Sequence, residues 1–156
     1  FGRSNVWPIL TSPMPNLHVS PIGVIPKADG GWRMITHLSY PPSFSINEHI
    51  DPQFTTVTYT SFDTVVQTIS TLGPMALLAK VDIKNAFRLL QIYPGDFELL
   101  GIYINGAYYI DKCLPFGCSI SCKIFETFSA FLEWAVKFKI QLAPVHHCSD
   151  DFIFIG

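Results

Sequence analysis

The stretches Leu77-Leu78-Ala79-Lys80-Val81-Asp82-Ile83 and Asp150-Asp151-Phe152-Ile153-Phe154-Ile155 decide the reading of this chain. Each joins an acid to an apolar run of strand length between turn signals, which predicts a buried strand. Two strands that each deliver a carboxylate to one place outline a divalent-metal site, because hard cations such as Mg2+ take anionic oxygen ligands. Two ions about 3.5–4 Å apart can clamp both the attacking and the leaving oxygen of a phosphoryl displacement. Taken alone, an Asp-Asp doublet is more often a turn or a strand-end cap, so its surroundings must decide.

The chain has 156 residues, 49% hydrophobic and 14% charged, a composition that can bury a core and reads as one globular unit. Twelve prolines and ten glycines predict short, well-punctuated elements. Phosphate contacts draw on Lys and Arg, so the formal charge of −2 leaves two options: nucleic acid is not the partner, or the basic surface lies on further chain. The start at Phe1 and the stop at Gly156, one residue past a strand-like run, favour the second and predict an excerpt of a longer polypeptide. No apolar run of 18 residues is free of charge; even Phe125 to Phe138 carries Glu126, Glu133 and Lys137, so no membrane span is expected. Cys113, Cys118, Cys122 and Cys148, with His146 and His147, lack the tight paired spacing of zinc motifs. Cys118 and Cys122 read as one turn apart on the buried side of a helix, and free thiols suit a reducing intracellular compartment, cytoplasm or nucleus.

Three stretches follow. Ile22 to Pro26 and Trp32 to Leu38 flank Asp29-Gly30-Gly31, a hairpin centre, with Lys27 and Arg33 beside the turn. Ser61 predicts the N-cap of a helix through Leu72 that Gly73-Pro74 ends. Ala76 to Cys113 reads mostly as strand: after Asp82 a short turn or helix through Phe87, then Leu89 to Tyr93, then Leu99 to Ile104 and Ala107 to Cys113 around Asn105-Gly106. Beyond Leu114-Pro115-Phe116-Gly117, capped by Ser119 or Ser121, a helix is predicted whose buried stripe is Ile124, Phe128, Phe131, Ala135 and Phe138, with Lys123, Glu126, Glu133 and Lys137 on the opposite face. The expected fold class is α+β, an antiparallel sheet with helices on one side.

In order, Ser20-Pro21-Ile22-Gly23-Val24-Ile25-Pro26-Lys27 with Gly31-Trp32-Arg33-Met34-Ile35, then Val81-Asp82-Ile83-Lys84-Asn85-Ala86-Phe87, then Leu114-Pro115-Phe116-Gly117, then Asp150-Asp151-Phe152 resembles the fingers and palm of a retroelement reverse transcriptase. The wording from Lys27 to Arg33 and from His37 to Pro41 is most similar to the DIRS and Ngaro retrotransposons, which pair this enzyme with a tyrosine recombinase. The resemblance runs from about Val19 to Gly156 and implies one partial domain over 1–156, with 19–75 fingers-like, 76–156 mainly palm, and thumb and ribonuclease H regions absent. It implies an RNA-directed DNA polymerase that transfers nucleotides from a dNTP to a primer 3′-hydroxyl on an RNA or DNA template. The parent polyprotein's ribonuclease H and recombinase regions would be partners. Asp82, Asp150 and Asp151 resemble the catalytic acids, and with the Ile83 carbonyl they would hold two Mg2+ ions, Mn2+ being a substitute. Lys27 and Arg33 resemble the cations on the incoming triphosphate, Phe87 the ring that excludes a ribose 2′-hydroxyl, Phe116 the nucleotide-binding position that is often Gln in retroviral relatives and commonly Phe in gypsy-type elements, and Gly117 the residue that lets the backbone approach the nascent base pair. Lys84 and Arg88 read as solvated charge or template contacts.

The chain departs from the family at the doublet, where Cys148 stands for an aromatic residue, commonly Tyr, and Ser149 for Leu or Met. That keeps a second reading open, a catalytically decayed palm remnant that at most binds nucleic acid or protein. A third, an unrelated metal-dependent α+β hydrolase, leaves the Lys27/Arg33 hairpin without a task.

Overall fold

A computed structural model describes residues 14–141 and 144–156 in full and 6–9 by backbone. The fold is α+β, built from β1 (Val6–Ile9), β2 (Ile22–Pro26), β3 (Trp32–Thr36), α1 (Phe62–Leu72), β4 (Leu78–Asp82), β5 (Gly101–Ile104), β6 (Ala107–Asp111), α2 (Ser121–Ala135), β7 (Val145–Cys148) and β8 (Asp151–Ile155), with short 3-10 turns between. The antiparallel sheet and separate hairpin expected from sequence are present as two three-stranded sheets, β1-β6-β5 and β4-β8-β7, and the β2-β3 hairpin, all antiparallel. Contacts divide the chain into two compact units, residues 1–55 with 87–121, and residues 56–86 with 122–156. No helix among the described residues is long and apolar enough to cross a membrane.

The first unit holds the β2-β3 hairpin and the β1-β6-β5 sheet. Asn105 and Gly106 both take positive φ, as a two-residue hairpin between β5 and β6 demands. Leu38, Leu100, Ile102, Ile110, Cys113 and Leu114 form its buried core. The strand expected over Leu89 to Tyr93 is reduced to one bridge, Gln91 to Cys113, with Ile92 N–H on Lys112 O (2.9 Å) and Leu114 N–H on Leu90 O (2.9 Å). A 3-10 turn over Ala86–Leu89 and another from Pro94 leave too few extended residues between them for a ladder. Arg88 is neither solvated nor positioned by sequence logic: its guanidinium forks onto the buried Asp111 carboxylate at 2.8 and 2.7 Å. A bidentate, charge-assisted pair of this kind is strong and directional.

The second unit packs α1 and α2 with the β4-β8-β7 sheet around Phe125, Val145, Phe152 and Ile155. Ser61 accepts from Thr64 N–H at 3.1 Å and Gly73 ends α1 at φ 93°, so both of its ends follow the sequence signals. Two expectations fail here. Strand β4 is exposed along its whole length: it is the edge of its sheet, among the described residues it pairs with β8 alone, and neither of its faces is covered. In α2 the buried positions are Ser121, Phe125 and Ser129, whereas Ile124 and Phe131, and Phe138 in the π-helical turn that follows, are exposed, and Glu126 and Glu133 are partly buried. The inner stripe carries two serines, so apolar counting selected a neighbouring stripe. Cys122 accordingly lies exposed and Cys118 precedes the helix; all four cysteines are free thiols.

Gly117 joins the Leu-Pro-Phe-Gly loop to β3. At φ 113° it adopts backbone nearly closed to other residues, and a Cβ built there would stand 2.0 Å from the Thr36 carbonyl oxygen. Its neighbour Phe116 accepts from Thr36 N–H at 2.9 Å. Gly117→Ala is expected to destabilise the first unit by at least the about 1–3 kcal/mol of a forbidden backbone conformation; chemical denaturation of the variant measures it, and an unchanged midpoint would contradict the close packing.

Candidate functional site: an acid cluster and an aromatic stack

Antiparallel pairing sets Asp82, the last residue of β4, directly opposite Asp151, the first of β8. Such partners stand about 4.5–5.5 Å apart at Cα and put their side chains on one face. The doublet itself is split: Ser149 and Asp150 form the β7-β8 turn, and Asp151 begins the strand. Asp150 is tied to the same end of the sheet because its carbonyl accepts from Ile83 N–H at 2.9 Å. Asp82, Ile83, Asp150 and Asp151 therefore gather at one end of a hairpin-plus-edge-strand arrangement, although 68 residues separate Asp82 from Asp150.

Lys80, two residues before Asp82 and so on the same face, was not singled out by sequence. Its Nζ sits 3.0 Å from Asp151 Oδ2, and that hydrogen bond, with further attraction from Asp82 and Asp150, holds its amine more basic than usual. One cation thus faces three acids and engages Asp151, leaving Asp82 and Asp150 as the pair not tied to Lys80. Cys148 is the register partner of Asp151, and burial, with the negative field of Glu126, Asp151 and Asp150, pushes its thiol up. It stays neutral and adds no charge beside the acids. Tyr59, from the connection before α1, is also drawn in: burial pushes its phenol up, with contributions from Cys122, Glu126 and Cys148.

The donor set suits Mg2+. That ion keeps several waters and binds through one or two carboxylates plus substrate phosphates, so it asks no complete protein cage. None stands ready: among the described residues no group of three or more His, Cys, Asp or Glu is placed to hold a metal, the zinc arrangement of cysteines and histidines included.

The first unit gathers the other sequence-predicted residues. Phe87 and Phe116 stack at 4.9 Å with their planes 20° apart, and the Arg33 guanidinium lies 4.9 Å above the Phe116 ring. Arg33, Phe116 and Phe87 form one column, in which cation–π attraction orients the guanidinium. Lys27 is apart from it, paired with Asp29 at 2.8 Å across the hairpin turn. That pair is exposed, so solvent screens it and Lys27 can exchange partners readily.

Asn47 is a residue the sequence reading passed over. Its Nδ2 donates to Ser39 Oγ (2.8 Å) and to Gly117 O (2.9 Å), while its Oδ1 accepts from Ser119 N–H (2.9 Å). It pins the loop that carries Phe116. The available signal was Ser45-Ile46-Asn47-Glu48, in which Ser45 Oγ donates to Glu48 at 3.0 Å and builds the turn that aims Asn47.

No protein-family model and no curated protein matches the chain. Solved structures do. The prototype foamy virus protease-reverse transcriptase CSH mutant is similar with a TM-score of 0.63 at 22% identity, over 92% of this chain and 17% of that one. The foamy viral protease-reverse transcriptase dRH in complex with ds DNA gives 0.66 at 19% over 96% of this chain and 23% of that one. A further structure of the foamy viral enzyme in complex with dsDNA gives 0.65 at 20% over 96% and 27%. The chain thus spans about a quarter or less of these proteins' length, and its fold is reverse transcriptase-like.

Proposed function

We propose that this chain is the fingers and palm portion of a retroelement RNA-directed DNA polymerase, similar to the DIRS and Ngaro group, acting on a primer-template with dNTPs. The observation that carries the reading is the register that opposes Asp82 to Asp151 and ties Asp150 to Ile83, set in a reverse transcriptase-like fold.

Asp82 and Asp150, with the Ile83 carbonyl, would hold two Mg2+ ions, and Asp151 is the third catalytic acid. Bound there, divalent cations supply a lowered pKa for an attacking hydroxyl and neutralisation of departing phosphate charge. The protein's own share is positional. Asp82 and Asp150 concentrate negative charge at a fixed sheet end, and Lys80 engages Asp151, which limits the repulsion among three acids. Arg33 presents a planar fork suited to two phosphate oxygens, held in direction by Phe116, and Lys27 adds a mobile point charge for the same triphosphate. Phe87, braced by Phe116, would present its ring to the sugar and leave no space for a 2′-hydroxyl. Gly117 keeps that loop against β3.

Asp82→Asn removes a charge without removing packing, since β4 is exposed. In steady-state primer extension by the full chain, kcat should fall about 10²–10³-fold, the scale for loss of one electrostatic stabiliser, while circular dichroism stays unchanged. Near-full activity would overturn the assignment. Phe87→Val should lower the preference in kcat/KM for a deoxynucleotide over its ribonucleotide by roughly 10–200-fold, the scale of a steric difference in a pocket. An unchanged ratio with intact folding would reduce Phe87 to a brace for Phe116.

A further inference from the structure

Helix α2 directs two carboxylates, Glu126 and Glu133, toward β7, on the side where periodicity placed solvent. Between them stands His147, with a side chain only 7% exposed. Its Nδ1 meets Glu133 Oε2, and its Nε2 lies 3.0 Å from Glu126 Oε1, at ion-pair distance though outside hydrogen-bond geometry. The ring stacks on Phe152 at 5.4 Å, which fixes its plane. Lys137, one turn beyond Glu133, closes the row at 2.5 Å. Burial raises the Glu133 carboxyl, but Lys137 and His147 outweigh it and hold the group below its ordinary value, so it stays charged.

Partly buried charge is costly unless fully partnered, and this row uses its second Glu126 oxygen on backbone. Glu126 Oε2 accepts from Ser149 N–H at 3.2 Å. Ser149 is held at φ 55°, a left-handed conformation that residues with a side chain seldom adopt. It directly precedes Asp150, whose carbonyl is bound from the other side by Ile83 N–H. The Ser149-Asp150 turn is thus fastened twice, by Ile83, the residue after β4, through backbone and by α2 through one carboxylate.

We infer that Glu126 is a positioning residue for the acid cluster: standing against His147 and accepting from Ser149 N–H, it fixes the Ser149-Asp150 turn and so the place from which Asp150 meets a divalent cation. This rests on the metal-binding reading of Asp82 and Asp150. Groups that orient a metal ligand from behind typically change affinity about 10–100-fold when removed.

Mn2+ affinity of the full chain, read by electron paramagnetic resonance of the free ion, tests it with Glu126→Ala, Glu126→Gln and Asp150→Asn. The Ala variant should bind Mn2+ about 10–100-fold more weakly with its circular dichroism and melting cooperativity retained. Gln, whose amide oxygen still accepts from Ser149 N–H, should restore most of the loss. Wild-type affinity in a folded Ala variant overturns the inference, and so do equal losses for Ala and Gln, which would point to the buried charge row alone. Should Mn2+ binding survive Asp150→Asn, the metal reading itself falls and the inference with it, a result separable from the first two.

Discussion

The antiparallel register between β4 and β8 is the constraint on which the rest depends. Because side chains alternate from face to face along a strand, a slip of one residue would send Asp82 to the opposite face from Asp151 and bring Ile83 or Val81 forward in its place. The register is held from three directions: the ladder from Leu78 opposite Ile155 to Asp82 opposite Asp151, the Ile83–Asp150 hydrogen bond beyond it, and the mutual bonds of Leu77 with Gly156 at the far end. β4 contributes little burial of its own, so hydrogen bonds and the packed partner β8, with Phe152 and Ile155 in the core, carry that precision. An edge strand is an unusual place for a decisive acid. Its exposure leaves the acid end open to solvent while the neighbouring strand supplies the rigidity.

In the first unit the corresponding device is close backbone approach. Gly117 against the Thr36 carbonyl lets the Phe116 loop lie on β3, and Asn47 then satisfies the loop's polar atoms from the side. Only in that arrangement can Arg33, Phe116 and Phe87 stack into a column. The positions of the two aromatic rings and the cation are therefore consequences of one glycine and one asparagine, neither of which touches them through its own charge or aromatic surface.

Much of this was legible in the sequence, and what was not has identifiable physical causes. The Asn105-Gly106 hairpin, the Ser61 cap with its Gly73 stop, and the β2-β3 hairpin announce themselves because turns and caps require particular backbone angles and hydrogen-bond acceptors. The acids, the hairpin cations, Phe87 and Phe116 were singled out through a resemblance carried by their order along the chain, whereas the stacking of Phe87 on Phe116 was not. Periodicity failed in α2 because the inward row pairs Phe125 with Ser121 and Ser129 and takes in charged Glu126 and Glu133, whose burial is made tolerable by His147 on the following strand, beyond the reach of helix periodicity. No local pattern encodes a partner that far away. Arg88 with Asp111 and Lys80 with Asp151 escaped for the same reason: a charge reads as solvated until tertiary structure supplies its counterion.

The central claim is that Asp82 and Asp150 meet at one divalent-cation site. Anomalous scattering from Mn2+-soaked crystals of the chain tests it most directly. The account predicts manganese within coordination distance of both carboxylates, at the end of the β4-β8-β7 sheet. Manganese found only at other acids, with that end of the sheet empty at saturating concentration, would contradict it.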